Sequence, residues 1–204
     1  MPFAPAPSQP PLGTVWLISA MLDETGSRVQ LVFGGGPTNR AGMGNGRVPC
    51  ASALDAATVV LVRGSSRAAA LCEWSADTTS LTILLHPHTQ LAAGSLVGLR
   101  ANSIHAAALA SCTGEFCAEG SVVIASPASP LVPTAVLSAP SLVSLCDGLT
   151  LDGRLSSGGG IYPLTYNWSV VSSPAPESLV STLAASSAAQ VSLPTSIQAG
   201  TELE

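Results

Sequence analysis

The chain has 204 residues, room for one large or two ordinary domains, and 47% of them are hydrophobic, enough to build a core. Only 9% are charged, far below the roughly 25% of an average soluble domain, and the net charge is −5. With no basic stripe and no lysine, the composition argues against nucleic-acid binding, and no unbroken run of about 20 apolar residues is present to span a bilayer.

Residues 1–13, with Pro2, Pro5, Pro7, Pro10 and Pro11, read as a proline-rich linker or tail. Residues 14–22 and 28–33 are β-rich, with Val29, Leu31 and Phe33 sharing one face. Asp23-Glu-Thr-Gly26 turns between them, so the pair is expected to form a hairpin. Residues 34–46 form a glycine-rich loop. Residues 58–62 are β-branched and continuous, which predicts a strand buried on both faces. Further strands are expected at 69–74, at 80–85 with Leu81, Ile83 and Leu85 together, and at 94–99. The alanine-rich stretch 104–110 is compatible with a single helical turn. Residues 121–125 close the first domain.

Ser126-Pro-Ala-Ser-Pro130 has the composition of a linker, which divides the chain into domains at 14–126 and 131–204. In the second domain, strands are expected at 134–137, 149–151 and 191–193. Leu164, Tyr166, Trp168 and Val170 alternate with Thr165, Asn167 and Ser169, the sharpest period-2 signal in the chain. Trp168, with Tyr166, is the expected core plug, and Trp16 and Trp74 are expected to be buried too. No helical periodicity extends beyond about two turns. Short strands with frequent turn signals make the expected fold all-β, two tandem immunoglobulin-like β-sandwich domains, the second incomplete at its C-terminus.

Cysteines stand at 50, 72, 112, 117 and 146. Cys50 and Cys72 are expected to form a disulfide, worth about 3 kcal/mol through unfolded-state entropy. Cys112 and Cys117 are expected to close a short loop with less gain. An odd cysteine remains, so Cys146 either pairs beyond Glu204 or is a buried free thiol. Cys112 and Cys117 lack a second metal-binding half, because His86, His88 and His105 do not have finger-type spacing. His86-Pro-His88 reads as a surface turn rather than a ligand pair, and no metal or cofactor is expected.

The Gly42, Gly44 and Gly46 spacing lacks the helix that a dinucleotide or phosphate loop requires, and a P-loop also needs a lysine. That loop reads instead as a crossing between sheets or a contact tip, where Arg40 is a weak candidate for holding a carboxylate or sugar. Asp23, Glu24, Asp147 and Asp152 are read as solvated turn carboxylates, with calcium the rival reading. Asn167-Trp-Ser169 is an N-glycosylation sequon, and period 2 points Asn167 outward if Trp168 points in. No nucleophile elbow, zinc-protease motif or paired carboxylate stands out, so no enzyme activity is expected.

Cys146-Asp-Gly-Leu-Thr-Leu-Asp-Gly153, Ser156-Ser-Gly-Gly-Gly160 and Pro163-Leu-Thr-Tyr-Asn-Trp-Ser-Val170 resemble the PKD-like part of the receptor-for-egg-jelly (REJ) family of polycystin-type surface proteins. Val29-Gln-Leu-Val-Phe33, Pro37-Thr-Asn-Arg-Ala-Gly42, Cys50, Cys72-Glu-Trp74 and Leu81-Thr-Ile83 resemble the Ig-like modules that precede REJ domains in algal and protist surface proteins. The resemblance implies a non-catalytic structural or adhesion segment, in the ectodomain of a larger membrane or matrix protein. Its implied partners are neighbouring domains of the same chain and an extracellular protein or glycan ligand. The alternative is a carbohydrate- or protein-binding module attached to an enzyme or receptor.

Overall fold

A computed structural model describes residues 13–112, 117–140, 148–171 and 175–194. Strand dominates, at 32% against 13% helix, so the chain is a β-rich protein. It divides into two compact units, residues 1–130 and 131–204.

The first unit is built on a hairpin of β1 (Trp16–Leu22) and β2 (Arg28–Gly34). Asp23 sets the turn: its Oδ1 accepts the N–H groups of Ser27 at 2.6 Å and Arg28 at 3.0 Å. The alternation in β2 works as read, with Val29, Leu31 and Phe33 buried. Strands β3 (Arg47–Pro49), β4 (Leu71–Trp74) and β5 (Ser80–Leu84) extend the sheet beyond β2, and β6 (Leu96–Gly98) joins it on the far side. β7 (Ile104–His105) and β8 (Cys117–Ala118) form a separate antiparallel pair, and β9 (Ser121–Ala125) lies beside β1. The resulting seven-stranded sheet runs β3-β4-β5-β2-β1-β9-β6 and is mixed, because β1 pairs antiparallel with β2 and parallel with β9. Its inner side carries Val29, Leu31, Leu81, Ile83, Val97 and Ile124, all at most 1% exposed. Phe33 and Trp74 pack with ring centroids 5.4 Å apart.

Three sequence expectations change in this unit. The predicted strand at 58–62 is instead the helix α1 (Ala56–Arg63). Asp55 caps it, its Oδ1 accepting the Thr58 N–H at 2.7 Å, and Gly64 ends it at φ 51°, where a Cβ would collide with the His88 carbonyl. The stretch 104–110 opens with the strand β7, not a helical turn. Trp16 is not buried. It lies on the outer face over Gly34, its register partner, where a Cβ would overlap the indole, and it stays 41% exposed.

In the second unit, β10 (Leu149–Asp152) pairs antiparallel with β11 (Gln190–Leu193). The Ser/Ala-rich tail contains the helix α2 (Glu177–Ala184). Leu183, Val191 and Leu193 form a small core against which Leu149, Leu151, Trp168, Val170 and Leu179 pack. Burial alternates along 164–170 as the sequence predicts, with positions 164, 166, 168 and 170 half-buried and 165, 167 and 169 exposed. That stretch forms no ladder with β10 or β11, so Trp168 packs on the core from outside the two-stranded sheet. Apolar residues remain in solvent here: Val171 is 99% exposed.

Candidate functional site

A broad polar cleft lies in the first unit, where the loop after β2 meets the segment from Arg100 to Cys112. Its local geometry starts from Asn39. The Asn39 side chain accepts the N–H groups of Ala41 at 3.1 Å and His105 at 3.0 Å, and donates to the Ser103 carbonyl at 3.1 Å. Its own backbone N–H donates to the His105 carbonyl at 2.8 Å. Thr38 anchors the preceding residue: its hydroxyl donates to the Thr78 carbonyl at 2.9 Å. These bonds hold Arg40 and Ala41 in left-handed conformations, φ 58° and 52°, and Asn102 across from them has φ 55°. Non-glycine residues in that region cost about 1–3 kcal/mol each and persist only where neighbours over-determine them.

The cleft between these segments has a volume of about 440 Å³ and is lined by Asn39, Ser52, Arg100, Asn102, His105 and Cys112, among others. Arg100 donates through Nη1 to the Ala51 carbonyl at 3.0 Å, which fixes its guanidinium at the wall. His105 is 7% exposed, and its Nδ1 lies 3.0 Å from the Ala106 carbonyl, so Nδ1 carries the proton. The Ser103 hydroxyl donates to the Arg100 carbonyl at 2.6 Å. Of the cleft's side chains, Ser103 and His105 are therefore each committed to a backbone carbonyl rather than to one another. The arrangement offers hydrogen-bonding side chains and one cation, Arg100, to a ligand in the cleft.

The structure joins Cys50 to Cys72 and Cys112 to Cys117, with Cα atoms 5.0 and 5.4 Å apart. The first bridge is wholly buried and ties the turn at Cys50–Ser52 to β4. The second sits at the rim of the cleft, with Cys117 Sγ 3.4 Å from Asn102 Oδ1; a disulfide sulfur has no proton, so this is a contact and not a hydrogen bond. Cys146 and Asp147 lie outside the described residues.

The remaining sequence candidates are dispersed. His86 and His88 have ring centroids 6.1 Å apart, and His86 Nδ1 accepts the His88 N–H at 3.2 Å, which is a turn. Among the described residues no three metal-ligating side chains cluster. Asp23 is occupied by its own turn, and Asp152 pairs with Arg154 at 2.5 Å. Arg40 reaches the Asn45 side chain. Gly42 ends a short 3-10 turn, and among the described residues the first α-helix begins at Ala56. Asn167 is exposed, while Trp168 turns inward and donates from Nε1 to the Ala188 carbonyl at 2.8 Å. Sequence reasoning gave no site role to Asn39, which stands in the 37–42 stretch, nor to Arg100 and Asn102, which carry no motif. The only hint was the Asn-Arg-Ala-Gly order, since asparagine readily bonds backbone groups near a left-handed turn.

No protein-family model, curated protein or solved structure matches this chain.

Proposed function

We propose that the chain is a non-catalytic structural and adhesion segment of a larger cell-surface or matrix protein, held outside the cell. In this reading the first unit is an immunoglobulin-like sandwich and the second a PKD/REJ-like one. The observation that carries it is the buried Cys50–Cys72 bridge in a β-rich unit, because structural disulfides persist in oxidising compartments and are reduced in the cytosol. The strand order supports the sandwich. Within the one continuous sheet, the run β4-β5-β2-β1 has the D-E-B-A neighbour order of an immunoglobulin sheet and β9-β6 the G-F order, the two runs being joined edge to edge by the parallel β1–β9 pair. Where the third strand of that second sheet is expected, Leu54 bridges Leu99, and the Gly98 N–H donates to the Thr58 hydroxyl at 2.8 Å. The helix α1 thus substitutes for a strand beside β6. The exposed Asn167 sequon supports passage through a secretory pathway.

The reading is tested by reductant. Treating the purified chain with a phosphine is expected to lower its melting temperature by several degrees, as removal of a native disulfide does. An identical melt with and without reductant removes the bridge as support for an extracellular role. The cleft favours a second reading, a module that binds an acidic saccharide or carboxylate through Arg100 and Asn102. Titration with uronate oligomers, using Arg100→Ala as control, separates the two: binding lost in the variant establishes a ligand site, and no heat at all leaves the spacer role.

A further inference from the structure

We infer that the outer face of β1, β9 and β6 is a self-association surface, occupied by a second copy of this chain. Five large apolar side chains point into solvent from these three hydrogen-bonded strands: Trp16 at 41% exposure, Ile18 at 56%, Met21 at 49%, Leu96 at 54% and Val123 at 55%. The register groups Met21, Val123 and Leu96, and Trp16 and Ile18 continue the same strand β1. Leu96 stands opposite Val123, Met21 stands opposite Ala125, and the shift between Leu17 and Ser19 turns Ile18 outward as the extra residue of a bulge. None of the residues of β1 (WLISAML), β9 (SVVIA) or β6 (LVG) is ionisable. On the other half of the sheet, by contrast, the outward positions include Gln30, Thr82, Glu73 and Arg47 in register. One half of the same sheet is thus dressed for water and the other is not.

At these exposures the five side chains present roughly 500 Å² of apolar surface, at the upper end of what a soluble monomer leaves open. A stable interface buries about 800 Å² per partner, with an apolar, charge-depleted centre rich in aromatic residues and methionine, and a polar rim. The patch supplies that centre, and Ser19, Ser95 and Ser121 around it supply the rim. A face without charge gives a heterologous partner no sign to complement. A second copy brings the same uncharged apolar face, so a two-fold isologous contact buries it on both sides without stranding a charge. The inference does not depend on the compartment, since the same face would pair in a cytosolic chain.

The test is sedimentation equilibrium of the full chain from about 1 to 100 µM, spanning the affinities of ordinary homodimers. The expected result is a reversible shift from the mass of one 20.4 kDa chain towards twice that mass. Val123→Glu and Leu96→Glu, each at an exposed position, are expected to hold the chain monomeric with an unchanged near-ultraviolet spectrum. Val60→Glu, equally exposed but on α1, is expected to dimerise like the parent. If one of the patch variants fails to fold, the other decides. A parent chain that stays monomeric throughout overturns the inference and gives the face to a different molecule. Dimers that survive both patch substitutions overturn it too, and place the contact elsewhere.

Discussion

Asp23 shows how much one carboxylate can do in a chain with so few charges. Burial raises its pKa, but hydrogen bonds from the Ser27 and Thr25 hydroxyls and from the N–H groups of Arg28 and Ser27 outweigh that and hold it below its usual 3.8. Asp77 is lowered by the Ser75 and Thr79 hydroxyls, and Asp152 by Arg154. A depressed folded pKa means the folded chain binds protons less readily than the unfolded one. The stabilisation is therefore fully present above the unfolded value of about 3.9 and is lost as pH falls through the folded value. Denaturant melts between pH 5 and pH 2 are expected to show stability declining below about pH 4, with a shallower decline in Asp23→Asn. An equal slope in both proteins removes Asp23 as a cause. Trp168 is the second residue to test. It is half-buried and bonded to Ala188, so Trp168→Ala is expected to cost about 2 kcal/mol, less than the 3–5 of a fully buried aromatic. Urea unfolding with no change in midpoint rules it out as the plug of the second unit.

At the scale of elements, period-2 patterns were legible and the helices were not. Val29, Leu31 and Phe33, then Leu81 and Ile83, faced inward as their spacing demanded, because alternation in a half-buried strand is a direct imprint of the pleat. The Thr-Val-Val-Leu-Val run at 58–62 misled because a short apolar run looks alike in a buried strand and a buried helix. The deciding signals were the cap at Asp55 and the stop at Gly64, which bracket eight helical residues. α2 was hidden by serine and alanine, although Leu179 and Leu183 keep i, i+4 spacing. Trp16 reads as core by composition, yet its partner across the hairpin is Gly34, and the indole covers that gap from outside. The cleft was illegible, because its residues converge from positions 39 to 112 and none belongs to a spaced motif. One element-level link is testable. Thr58→Val removes the acceptor for the buried Gly98 N–H and is expected to destabilise the chain by about 1–3 kcal/mol, read from chemical denaturation. A neutral result means that β6 does not depend on α1.

Across the whole molecule, stability is unevenly supplied. The first unit has a broad apolar core and a buried cross-link, whereas the second, among the described residues, rests on three buried apolar side chains and a two-stranded ladder, which alone is marginal in water. Heating is therefore expected to melt the second unit first, with Trp168 fluorescence changing before the far-ultraviolet signal of the larger sheet. The reverse order contradicts that division. What unites the molecule is the proposal that it works outside the cell, as a cross-linked spacer with contact surfaces and no chemistry of its own. Peptide mapping by mass spectrometry, without reduction, of chain recovered from a secretory host tests this most directly. The account predicts Cys50 linked to Cys72, Cys112 linked to Cys117, and a glycan on Asn167. Free thiols at those four positions and an unmodified Asn167 would contradict it and favour a β-rich scaffold of the cytosol.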